Sequence, residues 1–425
     1  MSTRAQDGIY YRSNPQIGNS FCMLSLRAER TAQISDIGYG IYAIWKHIEQ
    51  LKKGILSDLN IDTKHRKSGN LTALVGYASN LFTIIDSQKR RPRSFGDLNF
   101  NSPNRDGGGN ITDGSNMKYS SKITDNHLLS DHLVFQFIAD AEFYTNRAVI
   151  EVWKIIRKLE KTTGKPLFRI TSLYSGFQRP DRRNWLGFHD GVSNLKSRER
   201  PYVIFINSRN LNPVDIWTLN GTYLAFMRII LDIGKWEDTE VHEQEKLVGR
   251  EKVTGCPIIG IDRNGNPVKD PRCPVPGTRE VVDAGNEKFR EPTAYGNFPR
   301  DKILLHSHVS LSRPKDNLPI WDNKSSRIYR QGFEFLAQSE SNEGFVPGLN
   351  FVSFQNTPDR FFRSLTYQQR LLQKDTTDVV PTFNDYMKVL AAGIFFVPPK
   401  ILNSPFPGAQ IFFKDRELRK LCLTL

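Results

Sequence analysis

Apolar positions along the chain switch between two periods, and the switches lay out two similar halves. Residues 21–26 are apolar over a length that suits a short strand. Ile41, Trp45, Ile48, Leu51 and Ile55 then recur at helical spacing and mark the buried stripe of an amphipathic helix. Apolar runs at 71–82 and 133–139 predict two further strands. Val149, Val152, Ile156 and Leu159 predict a second helix, and 167–173 a last strand. The second half repeats the order: a strand at 223–230, a helix after Asp238, strands at 303–311, 328–335 and 349–354, a helix over 358–372 and a closing strand at 394–397. Two β-α-β-β-α-β units predict an α+β fold of two ferredoxin-like modules packed together. The halves are 1–215 and 216–425. Two stretches stand outside this plan. Residues 99–126 contain Gly107-Gly108-Gly109 among many Asn, Ser and Asp, the composition of a flexible insertion. Residues 256–297 are rich in Pro, Gly and charge and predict a long functional loop.

Composition narrows the class. At 425 residues the chain can bury one large core or two ordinary ones. No apolar run approaches the roughly 20 residues of a membrane span. The start, Met1-Ser2-Thr3-Arg4-Ala5-Gln6-Asp7, has no apolar signal region, so a cytoplasmic enzyme without a membrane partner is expected. Cys22, Cys256, Cys273 and Cys422 are far apart and form no Cys-x-x-Cys, so free buried thiols are expected rather than a disulfide framework. The net charge of +14, from 59 basic and 45 acidic residues, favours anionic partners. The densest basic run, Lys89-Arg90-Arg91-Pro92-Arg93, has no aromatic RNA-binding signature beside it and reads as a solvated loop.

Three segments carry candidate chemistry. Gly187-Phe188-His189-Asp190-Gly191 holds a carboxylate between two glycines, which permit close approach of a flat ligand. Alone it is no more than a turn signal. In Ile303-Leu304-Leu305-His306-Ser307-His308-Val309-Ser310-Leu311 the alternation reads as a strand with both histidines on one side. Zinc is disfavoured there, because the other histidines are scattered at 47, 65, 127, 132, 189 and 242. The third segment is Ser326-Arg327-Ile328-Tyr329-Arg330-Gln331-Gly332-Phe333-Glu334-Phe335, followed by Gly348-Leu349-Asn350-Phe351. Leu349 and Phe351, two apart on a strand, share a face, and Asn350 takes the other.

Together these segments resemble the dye-decolorizing peroxidases, a haem b family. Gly187 to Gly191 matches its Gly-x-x-Asp-Gly, and His308, with Pro314 six residues on, matches its proximal histidine. Arg330 falls at its distal arginine, and Leu349 and Phe351 at its distal pocket. Stretches 133–140, 220–226, 244–250 and 393–399 are similar to further parts of the family, so the likeness covers most of the chain. One departure is Ser310, where the family usually has an arginine; Arg313 is the expected substitute at the haem propionates.

The resemblance implies a haem b peroxidase with one iron per chain, held by His308. It places Asp190, Gly191, Val192, His308, Arg313, Arg330, Leu349 and Phe351 against the cofactor. Asp190 would move a proton between the oxygens of hydrogen peroxide. Arg330, always charged, would stabilise the departing hydroxide. The reductant would be a dye or phenol-like molecule, anionic ones being favoured by the net charge. His189 either assists Asp190 or stacks near the haem edge. Two other classes stay open: a haem- or iron-handling protein of the same fold without turnover, and a basic nucleic-acid-binding protein resting on charge alone. The oligomeric state, homo-oligomer included, is left open.

Overall fold

The structure is a computed structural model that describes residues 5–9, 18–30, 32–55, 67–85, 91–95, 131–208, 211, 213–273, 301–312, 319–322, 325–339, 344–365, 381–414 and 418. In chain order the elements that matter here are β1 (Ser20–Ala28), α1 (Ile34–Lys52), β2 (Thr72–Ala78), α2 (Ser79–Ile84), β3 (Leu133–Ala139), α3 (Glu142–Thr163), β4 (Phe168–Phe177), α4 (Arg200–Ile204) and β5 (Thr222–Leu231). They continue with α5 (Ile233–Glu237), α6 (Val241–Val248), β6 (Ile258–Ile261), β7 (Pro267–Lys269), α7 (Lys302–Leu305), α8 (His308–Ser312), β8 (Tyr329–Gln338), β9 (Phe345–Gln355) and β10 (Met387–Val397). Residues 358–365 are also helical.

Eight strands close a barrel in the order β1-β3-β2-β10-β5-β9-β8-β4. Within it β4-β1-β3-β2 and β10-β5-β9-β8 are two antiparallel sheets of the same ferredoxin-like order. The seams between them are short. β10 meets β2 at Phe395↔Ala78 and Phe396↔Tyr77, and β4 meets β8 at Phe177↔Glu334. Alternation along each strand sends one set of side chains inward. Phe21, Met23, Leu74, Val134, Ile138, Leu224, Phe226, Phe333, Val352 and Phe395 fill the barrel.

The outward faces of the two sheets are covered differently. Over the first lie α1, 19 residues, and α3, 22 residues. Ile37, Ile41, Ile44, Ile48 and Leu51 of α1 and Ala148, Val149, Val152 and Ile156 of α3 are the buried stripe, as helical periodicity requires. Gly164 ends α3 in the left-handed region, φ 69°, where a side chain would be strained. The second sheet has only the short α5 to α8 and the segment 358–365 among its described helices. A cavity lies on this face among the described residues.

Several expectations are corrected. Residues 303–311 are not a strand but α7 and α8, so His306 and His308 do not share a strand face. Asp301 starts this stretch as a helix cap, its Oδ1 accepting the N–H of Ile303 at 2.7 Å and of Leu304 at 3.3 Å. Buried Leu304, Ser307 and Leu311 follow helical spacing, which a nine-residue alternation concealed. The apolar run 71–82 is a strand only to Ala78 and then turns into α2. Ile55 lies past the end of α1 and is exposed. Cys256 and Cys273 are not free thiols but a disulfide, their Cα atoms 5.8 Å apart. The β6–β7 hairpin, unread in the predicted loop, brings them together across 17 residues. Cys22 is a buried thiol. Cys422, the insertion at 99–126, His65, His127, Lys89, Arg90 and Arg313 lie outside the described residues. No helix among the described residues is long and apolar enough to cross a membrane.

Candidate active site

The outward face of the second sheet is the floor of a cavity of about 510 Å³. Its apolar part follows from strand register. Ile229 of β5 is flanked by Val389 of β10 and Leu349 of β9, and Met227 is paired with Phe351. Leu231 and Met387 extend the patch. Phe361 and Leu365 of the segment 358–365 and Val248 of α6 close over it. At the sheet's edge β8 adds Arg330, Gly332 and Glu334, two residues apart and so on one face. The site is thus a largely apolar pocket with a few convergent polar groups, inside the ~300–1,000 Å³ range of ordinary cofactor sites.

The wall beside β8, residues 183–194, is a loop held largely by side chain–backbone bonds. Arg183 donates through its guanidinium to the carbonyls of Gly187 at 2.8 Å, Lys252 at 2.6 Å and Val253 at 2.7 Å. The Asn184 side chain accepts from the Phe188 N–H at 3.0 Å. Gly187 and Gly191 sit at φ 85° and 76°, turns that a Cβ would strain. Asn194 joins this loop to β8: its Nδ2 donates to the Arg330 carbonyl at 2.7 Å, and its Oδ1 accepts the Arg330 N–H at 3.1 Å. Asp190 is fixed by its own N–H, which donates to the Arg182 carbonyl at 3.0 Å. Its Oδ1 accepts the Gly191 N–H at 2.7 Å. A Cβ on Gly332 would lie 2.8 Å from Asp190 Oδ2, so the carboxylate occupies the room that glycine leaves.

His308 opens α8 and lines the same cavity. Enclosure pushes its pKa down to about 4, with the charges of Arg330 and Arg250 adding to the effect. The ring is therefore neutral, the form that ligates a metal. Gly249, at φ 85°, ends α6 against Ser307 and Val309 and sets the path of this segment. His306 is turned to other work, its Nδ1 being 2.8 Å from the Lys302 carbonyl, and it does not border the cavity. Glu334 is buried, and its pKa is pushed up to about 8 by that burial; the Trp185 N–H, donating to Oε2 at 2.8 Å, opposes the rise and the charge of Asp190 adds to it.

Of the residues singled out from sequence, Asp190, Gly191, Val192, His308, Arg330, Leu349 and Phe351 border this one cavity. His189 borders it too and is buried. Asn350 takes the other face of β9, accepting from Arg228 at 2.9 Å. Sequence reasoning passed over Arg250 and Arg327, two cavity-lining cations, and also Gly332 and Glu334. The last two were legible, since they continue from Arg330 at period two. Arg250 was not, because α6 and the loop 183–194 meet only in the fold: Arg250 donates to the Gly255 carbonyl at 3.0 Å and to the hydroxyl of Ser193. No group of three or more His, Cys, Asp or Glu that could hold a metal ion is found among the described residues.

Comparison with known proteins adds a family. The model of the Dyp-type peroxidase C-terminal region matches residues 181–402, just over half of the chain. A deferrochelatase of Escherichia coli (strain K12) is 25% identical over 225 residues, which are 52% of this chain and 44% of that protein. The chain thus covers less than half the length of this curated relative. Among solved structures, a DyP-type peroxidase from Cellulomonas bogoriensis superposes with a TM-score of 0.68 at 18% identity, covering 96% of each chain. Ferric DtpA from Streptomyces lividans gives 0.64 at 18% identity over 96% of this chain and 98% of its own. These two likenesses show the fold. With the family match spanning the cavity's loop, its histidine segment and strands β8 to β10, the chain belongs to the dye-decolorizing, or Dyp-type, peroxidase family.

Proposed function

We propose that this chain is a haem b peroxidase that reduces hydrogen peroxide at the expense of an organic one-electron donor. The observation that carries the reading is the meeting of Asp190, Arg330 and His308 on one largely apolar cavity. The residues present fit a haem: apolar walls suit the macrocycle, one imidazole can ligate iron, and two cations can meet carboxylates. His308 would hold the iron, and Arg250 and Arg327 would meet the propionates, with Arg313 a third candidate outside the described residues. Gly191, Val192, Leu349 and Phe351 would contact the ring. Bound haem supplies the electrons that break the peroxide O–O bond.

Asp190 takes the proton from one peroxide oxygen and returns it to the other. Arg330 offsets the negative charge that develops on the departing oxygen. The floor of Met227, Ile229 and Leu231 keeps water from competing. We place the boundary between the two halves at 215/216, within the short helical turn Pro213–Thr218 that precedes β5.

The test is the absorption spectrum of the haem-loaded protein. It should change within seconds of adding peroxide, and the purified His308→Ala variant should lose haem while His306→Ala keeps it. Loss from His306→Ala instead would refute the ligand assignment. Arg330→Leu should keep haem and slow the peroxide reaction at least about tenfold, roughly 1.4 kcal/mol of transition-state stabilisation. The name of the curated relative, deferrochelatase, favours a second reading, in which the chain handles haem or iron without peroxidase turnover. A haem-loaded protein inert to peroxide would favour it.

A further inference from the structure

Hydrogen peroxide becomes two waters by taking up two electrons and two protons. Asp190 moves only the peroxide's own proton from one oxygen to the other, a transfer that brings no proton into the cavity. The electrons come singly from an organic donor, and the two protons need a group in the cavity to hand them to the oxygen. Among the polar side chains of the cavity with no part in the reading above, one is a buried carboxyl.

That side chain is Glu334. β8 presents Arg330, Gly332 and Glu334 in a row, and the Asp190 carboxylate lies over Gly332, where a Cβ would stand 2.8 Å from its Oδ2. Asp190 is therefore flanked along the strand by a fixed cation on one side and Glu334 on the other. Glu334 also borders a second hollow of about 70 Å³, whose other walls include Arg179, Arg182 and Asn194. Asp190 borders both spaces as well. The Trp185 N–H occupies Glu334 Oε2 at 2.8 Å, which leaves Oε1 to carry a proton.

Resting on the peroxidase reading, we propose that Glu334 is the proton-holding residue of this cavity. Its O–H bond breaks as a proton passes, directly or through Asp190, to the second peroxide oxygen as the donor's electrons reduce it to water, and a second such transfer supplies the second proton. The carboxylate left behind is reprotonated from bulk solvent by way of the smaller hollow, so that no hydroxide is left in the cavity. The groups facing it agree with this role. Burial keeps the acid protonated up to about pH 8; the charges of Asp190 and Asp181 work in the same direction, and the Trp185 N–H and Arg179 against it. Arg330, on the same strand face, and Arg182 and Arg183, which border the smaller hollow with Glu334, are further charges nearby.

The test uses Glu334→Gln, whose amide oxygen can still accept the Trp185 N–H but which has no acid proton to give. The first readout is thermal stability of the purified full-length protein against pH. A carboxyl whose pKa is raised on folding binds its proton more tightly folded than unfolded, so its contribution is full below the ordinary 4.5 and is lost as pH rises through about 8. Relative to Glu334→Gln, the parent should therefore lose Tm across that window. The second readout is kinetic. Glu334→Gln should react with peroxide within about twofold of the parent rate, while the reductant-dependent return slows at least about tenfold. The parent's turnover should fall above about pH 8, and that limb should vanish in the variant. Glu334→Asp, still an acid, should recover part of the rate. A reactive parent whose Glu334→Gln form keeps its return rate and alkaline limb would overturn the proposal alone. A parent inert to peroxide would overturn the peroxidase reading and the proposal with it.

Discussion

Adding one methyl group at Gly332 should damage the site without unfolding the protein. Gly332 has an ordinary strand backbone, so its glycine is there for space and not for conformation. An ideal Cβ would sit 2.8 Å from Asp190 Oδ2 and 3.3 Å from Leu349 Cδ1, against the 3.4 Å at which ordinary contact begins. Something must give by roughly half an ångström, since repulsion rises steeply inside contact distance. β8 cannot, because it is paired with β9 over ten positions and tied by Asn194 and by Gln178, whose Nε2 donates to the Gly332 carbonyl at 2.9 Å. The Asp190 carboxylate must move, straining its bond to the Gly191 N–H.

Overpacking of this kind costs about 1–3 kcal/mol of stability. Misplacing a reacting group by up to an ångström costs up to about 10²-fold in rate. Gly332→Ala should therefore bind haem through His308 as the parent does. Its reaction with peroxide, followed by stopped-flow absorption, should be about 10- to 100-fold slower. A variant with the parent's rate and a Tm drop of the expected size would show that Asp190 placement does not govern the reaction.

Two further substitutions probe how the walls are held. Asn194→Ala removes both bonds that fasten the Asp190 loop to the Arg330 backbone, and should cost about 1–3 kcal/mol in urea unfolding because the Arg330 groups lose their partners. Cys256→Ser opens a loop closed across 17 residues and should cost about 3 kcal/mol, with a dithiol reductant lowering the Tm of the parent but not of the variant. Because Cys256 and Cys273 pack on Val192, the same variant should loosen the Asp190 loop, read as faster proteolysis there.

The order and kind of most elements were written locally. The stripe Ile41, Trp45, Ile48 and Leu51 could bury one side only as a helix, and alternation along 349–354 put Leu349 and Phe351 on one face whatever they were to meet. Where the local signal was short it misled: 303–311 fits period two, yet the Asp301 cap and the burial of Leu304, Ser307 and Leu311 make it helical. Long-range pairing was invisible. Cys256 reaches Cys273 only through the β6–β7 hairpin, and Arg250 reaches Ser193 only because α6 ends beside the loop 183–194.

Periodicity thus determined which side of each segment is buried, since that depends on neighbours a few residues away. The tertiary structure alone decided that α1 and α3 cover one sheet and that a cavity lies on the outward face of the other. It also decided that Asp190 lies over the bare Cα of Gly332 between Arg330 and Glu334. Those distances are set by packing and hydrogen bonds between residues about 140 positions apart, which no local pattern encodes.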